Sequence, residues 1–177
     1  RVMIPKPKGG MRPLGVGNPR EKVVQKAITV ILEGIWEPLF SDSSHGFRPR
    51  RSCHTALREI YLNGNTYRWV IQGDISKCFD KIPHEIIIRE VKRKVKCKKT
   101  IELINGYLKA GYKEKDREVI RTKEGVPQGG IISPILSNIV LHQLDMYMER
   151  LKKRFDKGKS RKQNVEYVRK SGRMGYY

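Results

Sequence analysis

Apolar residues return along the chain with a helical period in some stretches and run unbroken in others. Val23, Val24, Ala27, Ile28, Ile31, Leu32 and Ile35 fall at helical spacing, and Pro38 stands just past the last of them, so a long core-facing helix is predicted there. Ahead of it, Val2–Ile4 and Arg12–Val16 bracket Lys8-Gly9-Gly10, the pattern of a β-hairpin. Ser41–Ser52 has no apolar rhythm and reads as a loop, followed by a short helix over Cys53–Tyr61. Arg68–Asp74 is mostly apolar without alternation, as expected of a strand covered on both faces. Two further helices are predicted, over His84–Val95 (with Ile86–Ile88, Val91 and Val95 as its core positions) and over Thr100–Ala110. Glu118–Thr122 reads as a strand, and Pro134–Phe155 as the longest helix. Strand, two helices, strand, helix predicts an α/β (α+β) fold, an open sheet with helices packed on one face.

Charge narrows the partners. Lys and Arg number 38 against 18 Asp and Glu in 177 residues, a formal charge of +20. A few surplus cations keep a protein soluble, but an excess this large on one domain, or part of one, implies a polyanion, with nucleic acid the default. A membrane surface is the other polyanion on offer. No stretch is long and apolar enough to span a bilayer, however, and no basic amphipathic helix stands out, so no membrane partner is expected. Cys53, Cys78 and Cys97 are odd in number and widely spaced. They suggest reduced thiols in an intracellular compartment, not a disulfide framework or a zinc knuckle. No signal peptide is visible. The chain opens without Met inside an expected strand, which leads us to expect further N-terminal residues.

The chemistry concentrates in three places. Gly125-Val-Pro-Gln-Gly-Gly-Ile-Ile-Ser-Pro134 is a Gly- and Pro-rich turn with one amide side chain, Gln128, opening into an apolar helix. Ser133 and Pro134 read as N-cap and first helical position, which would aim free N–H groups and a positive dipole end at whatever occupies the turn. Upstream, Val70-Ile-Gln-Gly-Asp-Ile-Ser-Lys-Cys-Phe-Asp80 delivers Asp74 at a strand end, where a carboxylate either holds a metal or caps the next helix. Ile4-Pro5-Lys6 and Met11-Arg12-Pro13-Leu14 flank the Gly-Gly hairpin. With Ser44-His45-Gly46-Phe47-Arg48-Pro49 ahead of the last two blocks, the chain resembles the fingers and palm of group II intron-encoded reverse transcriptases, from its first residue to about Arg154.

The resemblance carries specific expectations. It implies a split βαβ-like palm sheet, with fingers over residues 1–67, a partial palm over 68–151 and a basic tail over 152–177. The activity it implies is template-directed phosphoryl transfer from a deoxynucleoside triphosphate (dNTP) to a primer, with two Mg²⁺ ions held mainly by carboxylates. Asp74 is the expected catalytic metal ligand, joined by the backbone carbonyl of Ile75. Phe79 would lie beneath the incoming sugar and disfavour a 2′-hydroxyl, although a core Phe would look the same in sequence. Lys6 and Arg12 would clamp the triphosphate, unless they are ordinary surface cations, and Gln128 would touch nucleotide or template. In the loop before the second helix, His45, Arg48, Arg50 and Arg51 are expected RNA contacts, with Phe47 either a core anchor or a stacking ring. Asp80 is expected to orient the turn before Pro83 and His84. The tail beyond Lys152 is either a solvated linker or a phosphate-tracking arm offering Tyr167, Tyr176 and Tyr177 for stacking.

One further motif of the family, Tyr-x-Asp-Asp, is not in this sequence, and no Asp-Asp pair occurs anywhere. A single Asp cannot hold two divalent cations close together, so these residues alone are expected not to polymerise. Asn18-Pro19-Arg20-Glu21-Lys22 also stands where the family usually has an Asp-Arg pair. Two functions are open: part of an intron-encoded reverse transcriptase and maturase acting in RNA splicing, or a relic of one kept as a non-catalytic RNA-binding subunit of an organellar ribonucleoprotein. The Lys- and Ile-rich composition and the Lys-rich insert after the long helix resemble mitochondrial intron proteins, so the resemblance implies a mitochondrion, with a bacterial cytoplasm or chloroplast as alternatives.

Overall fold

In a computed structural model of the chain, the described residues are 2–5, 9–64, 70–113, 118–127 and 129–157, without the side chains of residues 12, 13 and 156. They belong to two compact units, one drawn from residues 1–39 and 75–141 and the other from 40–74 and the stretch beginning at 142.

The first unit opens with the expected hairpin. β1 (Val2–Pro5) pairs antiparallel with β2 (Met11–Leu14), Ile4 opposite Arg12. Helix α1 (Pro19–Trp36) follows. Its start is set by Asn18, whose side-chain oxygen accepts the Arg20 N–H at 3.0 Å, and by Pro19 in the first turn. A short 3-10 turn, Glu37–Leu39, ends it at Pro38. Its buried positions are Ile28, Thr29, Leu32 and Trp36, a narrower stripe than the apolar spacing predicts. Val23, Val24 and Ile31 are exposed because they stand on the flanks of that stripe.

Two helices pack against each other in the middle of the chain, α4 (His84–Lys94) and α5 (Lys98–Lys109), after a single turn, α3 (Cys78–Lys81). They bury Ile87, Val91, Ile104 and Leu108, residues that contribute on the order of 1.5–3 kcal/mol each when fully removed from water. Helix α6 (Ser133–Asp156) adds Ile135, Leu136 and Ile139 to the core of this unit, and from His142 onward it belongs to the second.

The strands differ from expectation. Among the described residues the only sheet is the β1–β2 hairpin, so the split βαβ-like sheet is not among them. Residues 70–75 are irregular, with Val70 and Ile71 88% and 79% exposed. Glu118–Thr122 forms one isolated bridge, Ile120 to Tyr112. An apolar run shows that a segment wants cover, but a strand also needs a hydrogen-bonded neighbour, and no described segment supplies one.

The second unit holds the loop after Phe40, helix α2 (Cys53–Gly64) and the later part of α6. Phe40 is its buried aromatic, meeting the His142 ring edge-on at a centroid distance of 5.6 Å. Phe47, one of whose expected roles was that of core anchor, is instead 69% exposed. Helix α2 forms where expected yet buries no residue.

Candidate active site

The Gly-rich turn is held from several directions within the first unit. The backbone of Gly125 donates to Ile82 O at 2.8 Å and that of Val126 to Phe79 O at 2.7 Å, so the turn is zipped to the segment after Asp74. The buried imidazole of His84 donates from Nε2 to Gly125 O at 2.7 Å. Because a carbonyl only accepts, this bond fixes the proton on Nε2. At the far end of the turn, the Gln25 side-chain oxygen accepts the Ile131 N–H at 3.0 Å across 106 residues of sequence. Ser133 is already helical, and its hydroxyl donates back to Pro127 O at 2.6 Å in place of the capping role its position suggests.

Two glycines make this path possible. Gly125 has φ +85°, and a Cβ there would lie 2.8 Å from Asp80 O. Gly129 has φ +95°, and its Cβ would meet Gly15 O at 2.3 Å. Both combine a left-handed backbone with a neighbouring carbonyl too close for a side chain. Around the turn opens a cavity of about 520 Å³, lined in part by Asn18, Lys22, Gln25, Asp80, Lys113 and Pro127. Two lysines, Lys22 and Lys113, three carboxylates, Glu21, Asp80 and Glu124, and turn backbone line one space, an arrangement suited to a polar ligand.

The expected site residues fall as follows. Asp74 is exposed at the end of the irregular 70–75 segment. Ile75 is 52% exposed, and its carbonyl accepts the Cys78 N–H at 3.3 Å. Phe79 is half-buried, with its carbonyl engaged by Val126, and the backbone of Asp80 lies against Gly125. For Arg12 the backbone is described, paired with Ile4 in the hairpin. Lys6 and Gln128 lie outside the described residues, as does the tail beyond residue 157.

In the second unit the basic loop turns largely inward on itself. Arg48 is 7% exposed, donates from Nη1 to Ser41 O at 2.5 Å and Ser44 O at 2.7 Å, and stacks its guanidinium over Phe40. Arg51 pairs with Asp42 at 2.9 Å. His45 engages Thr55 Oγ1 at 2.9 Å through Nδ1 and Glu59 at 2.7 Å through Nε2. The Ser43 hydroxyl, donating to the other Glu59 oxygen, and then His45 hold the Glu59 carboxyl below its usual range. Burial pushes the Asp145 carboxyl up, against the pull of His142 and Arg48. Arg50, at φ +58°, is the member of the four that stands exposed.

A model of the reverse transcriptase (RNA-dependent DNA polymerase) family matches residues 4–167. The chain belongs to this family, and its relatives are group II intron-encoded proteins. It is 50% identical over 159 residues to an uncharacterised 91 kDa protein in the cob intron of Schizosaccharomyces pombe, covering 88% of this chain and 19% of that one. With the group II intron-encoded protein LtrA of Lactococcus lactis subsp. cremoris it shares 47% identity over 157 residues, 89% of this chain and 26% of the relative. Nuclear intron maturase 2, mitochondrial, of Arabidopsis thaliana is 31% identical over 169 residues, 73% of this chain and 23% of its own. The chain thus spans about a fifth to a quarter of the length of these curated relatives.

Reverse transcriptases use divalent metal, which calls for several oxygen donors. Among the described residues no group of three or more His, Cys, Asp or Glu side chains could hold a metal ion. Asp74 with the Ile75 carbonyl offers one anionic ligand, whereas a pair of Mg²⁺ ions repel each other and need several. The described residues therefore do not fit a two-metal site by themselves. His84 and Gln25, which shape the reverse-transcriptase turn, were missed by sequence reasoning. Their only local signals are a His directly after Pro83 and a lone amide inside an apolar helical stretch.

Proposed function

We propose that the chain is the fingers (residues 1–67), partial palm (68–151) and basic tail (152–177) of a group II intron-type reverse transcriptase and maturase that binds intron RNA. The observation that carries the reading is the clamped Gly125–Ser133 turn facing a charged cavity, in a chain that matches the family almost end to end. Phosphoryl transfer makes few covalent demands on a protein and rewards fixed placement. The described residues of the turn suit that demand, because His84, Gln25 and Ser133 hold backbone atoms on either side of residue 128. Gln128 and Phe79 contact the incoming nucleotide, Phe79 under the sugar. Lys6 and Arg12 contact its phosphates. Asp74 and the Ile75 carbonyl contribute to metal binding, in a site whose remaining carboxylates come from elsewhere in a complete polypeptide, as do further strands of the split palm sheet.

Arg50 reaches RNA phosphates, while His45, Arg48 and Arg51 hold the loop that presents it. These 177 residues alone are inactive in this reading, and the complete protein works on primer–template and dNTP inside a ribonucleoprotein. Its place is the mitochondrion, like that of the mitochondrial maturase of Arabidopsis thaliana, with a bacterial cytoplasm or chloroplast as the alternative.

The test is Asp74→Ala in the complete polypeptide. Primer extension should be lost while affinity for intron RNA stays within about twofold, since one exposed carboxylate adds little to a polyanion interface. RNA binding that collapses along with extension would refute the metal-ligand role.

A further inference from the structure

Between the end of α4 and the start of α5, residues Arg89 to Lys99 include seven cations and one acid, Glu90. Glu90 is buried and engages Arg89 at 3.3 Å and Arg93 at 3.0 Å. The other cations, Lys92, Lys94, Lys96, Lys98 and Lys99, are all exposed, and no carboxylate among the described residues pairs with them.

Part of this charge has a structural reason. Lys92 and Lys94 lie in the last turn of α4, where the negative end of the helix dipole favours cations, and Lys96 Nζ donates to Lys92 O at 3.1 Å. The same physics works against Lys98 and Lys99. They occupy the first turn of α5, at the positive end of its dipole, with no acid in that turn and no side-chain cap from Cys97. A sequence selected for stability places Asp or Glu there. The two helices pack together and Val95 is buried in the turn between them, so the lysines are carried on a fixed corner.

We propose that this α4–α5 corner is a docking surface for the phosphate backbone of folded RNA, distinct from the turn at Gly125–Gly130. The inference rests on the RNA-binding reading above and adds where, besides the substrate path, RNA is held. Lysines supply point charges without the planar fork of Arg, and from Lys92 to Lys99 no aromatic or amide side chain is present to stack on bases or read their edges. The surface therefore positions RNA without selecting sequence. An anionic membrane is the competing polyanion and enters as an outcome of the test.

In the complete protein, Lys92, Lys94, Lys98 and Lys99 are changed together to Gln. The control variant changes Lys109, Lys123, Lys153 and Lys157, which are also exposed, so both variants lose the same charge. Binding to a blunt RNA duplex is measured against salt, and binding to phosphatidylserine vesicles in parallel. With each phosphate contact contributing roughly 0.7–0.9 to the log–log slope, the corner variant should lose about 3 from its slope and the control less than about 1. A double change of Lys98 and Lys99 to Gln should weaken RNA binding while leaving the unfolding midpoint equal to or above that of the wild type, an opposition that a structural role would not produce. Equal slopes in the two quadruple variants overturn the corner and leave general RNA binding standing. A wild-type protein that binds vesicles but not the duplex, or neither, removes the RNA-binding reading and this inference with it.

Discussion

His84 gives the sharpest test of how the Gly-rich turn is held. The side chain is 4% exposed, and Gly125, whose carbonyl it serves, is buried as well. Replacing His84 with Ala removes the 2.7 Å bond and leaves that carbonyl without its donor, in a place water does not readily reach. An unsatisfied buried carbonyl costs about 1–3 kcal/mol. The space vacated by the ring adds on the order of 2 kcal/mol, by analogy with other large-to-small core changes. The sum, roughly 3–5 kcal/mol, is a large part of the 5–15 kcal/mol that holds a typical domain together. His84→Gln keeps an N–H donor able to reach the same carbonyl and should recover about half of the loss. Urea unfolding at constant slope measures the global change. Hydrogen exchange at the Gly125 and Val126 amides, which donate to Ile82 and Phe79, reports opening of the turn itself. An Ala variant within about 1 kcal/mol of wild type, with those amides still protected, would refute the view that His84 anchors the turn.

Two further outcomes follow from the same geometry. Gly129→Ala should fold but lose primer extension in the complete protein, because a Cβ at φ +95° would stand 2.3 Å from Gly15 O and must displace the turn; unaltered extension kinetics would show that the turn does not place the nucleotide. The Ser43 hydroxyl and then His45 hold Glu59 below the usual glutamate range, so its contribution is present above that range and disappears as pH falls through the lowered folded-state value. Glu59→Gln should therefore unfold at lower urea than wild type near neutral pH, with the gap closing below about pH 4, and a gap independent of pH would rule out the Ser43–Glu59–His45 network as its source.

The longer helices are legible in the chain itself, because their signal is local, whereas the single turn Cys78–Lys81 was not expected. The expected His84–Val95 is observed as His84–Lys94, and Thr100–Ala110 as Lys98–Lys109, since spacing of apolar residues and a preceding Pro or loop are written within the element. The glycines of the 125–130 turn were legible for the same reason, and family membership followed from blocks whose order and spacing are also written in the chain. Tertiary structure decided everything that needs a distant partner. Whether Arg68–Asp74 is a strand depends on a neighbour that no apolar run can announce. Arg48 looks like an RNA contact in sequence, yet Phe40 and two backbone carbonyls take it into the interior. Ser133 sits where a cap belongs and turns its hydroxyl to Pro127 instead. The anchors of the turn, His84 and Gln25, lie 41 and 106 residues from the atoms they bind. A hydrogen bond of that reach leaves no periodicity behind it, so only the folded chain reveals which polar side chain closes it.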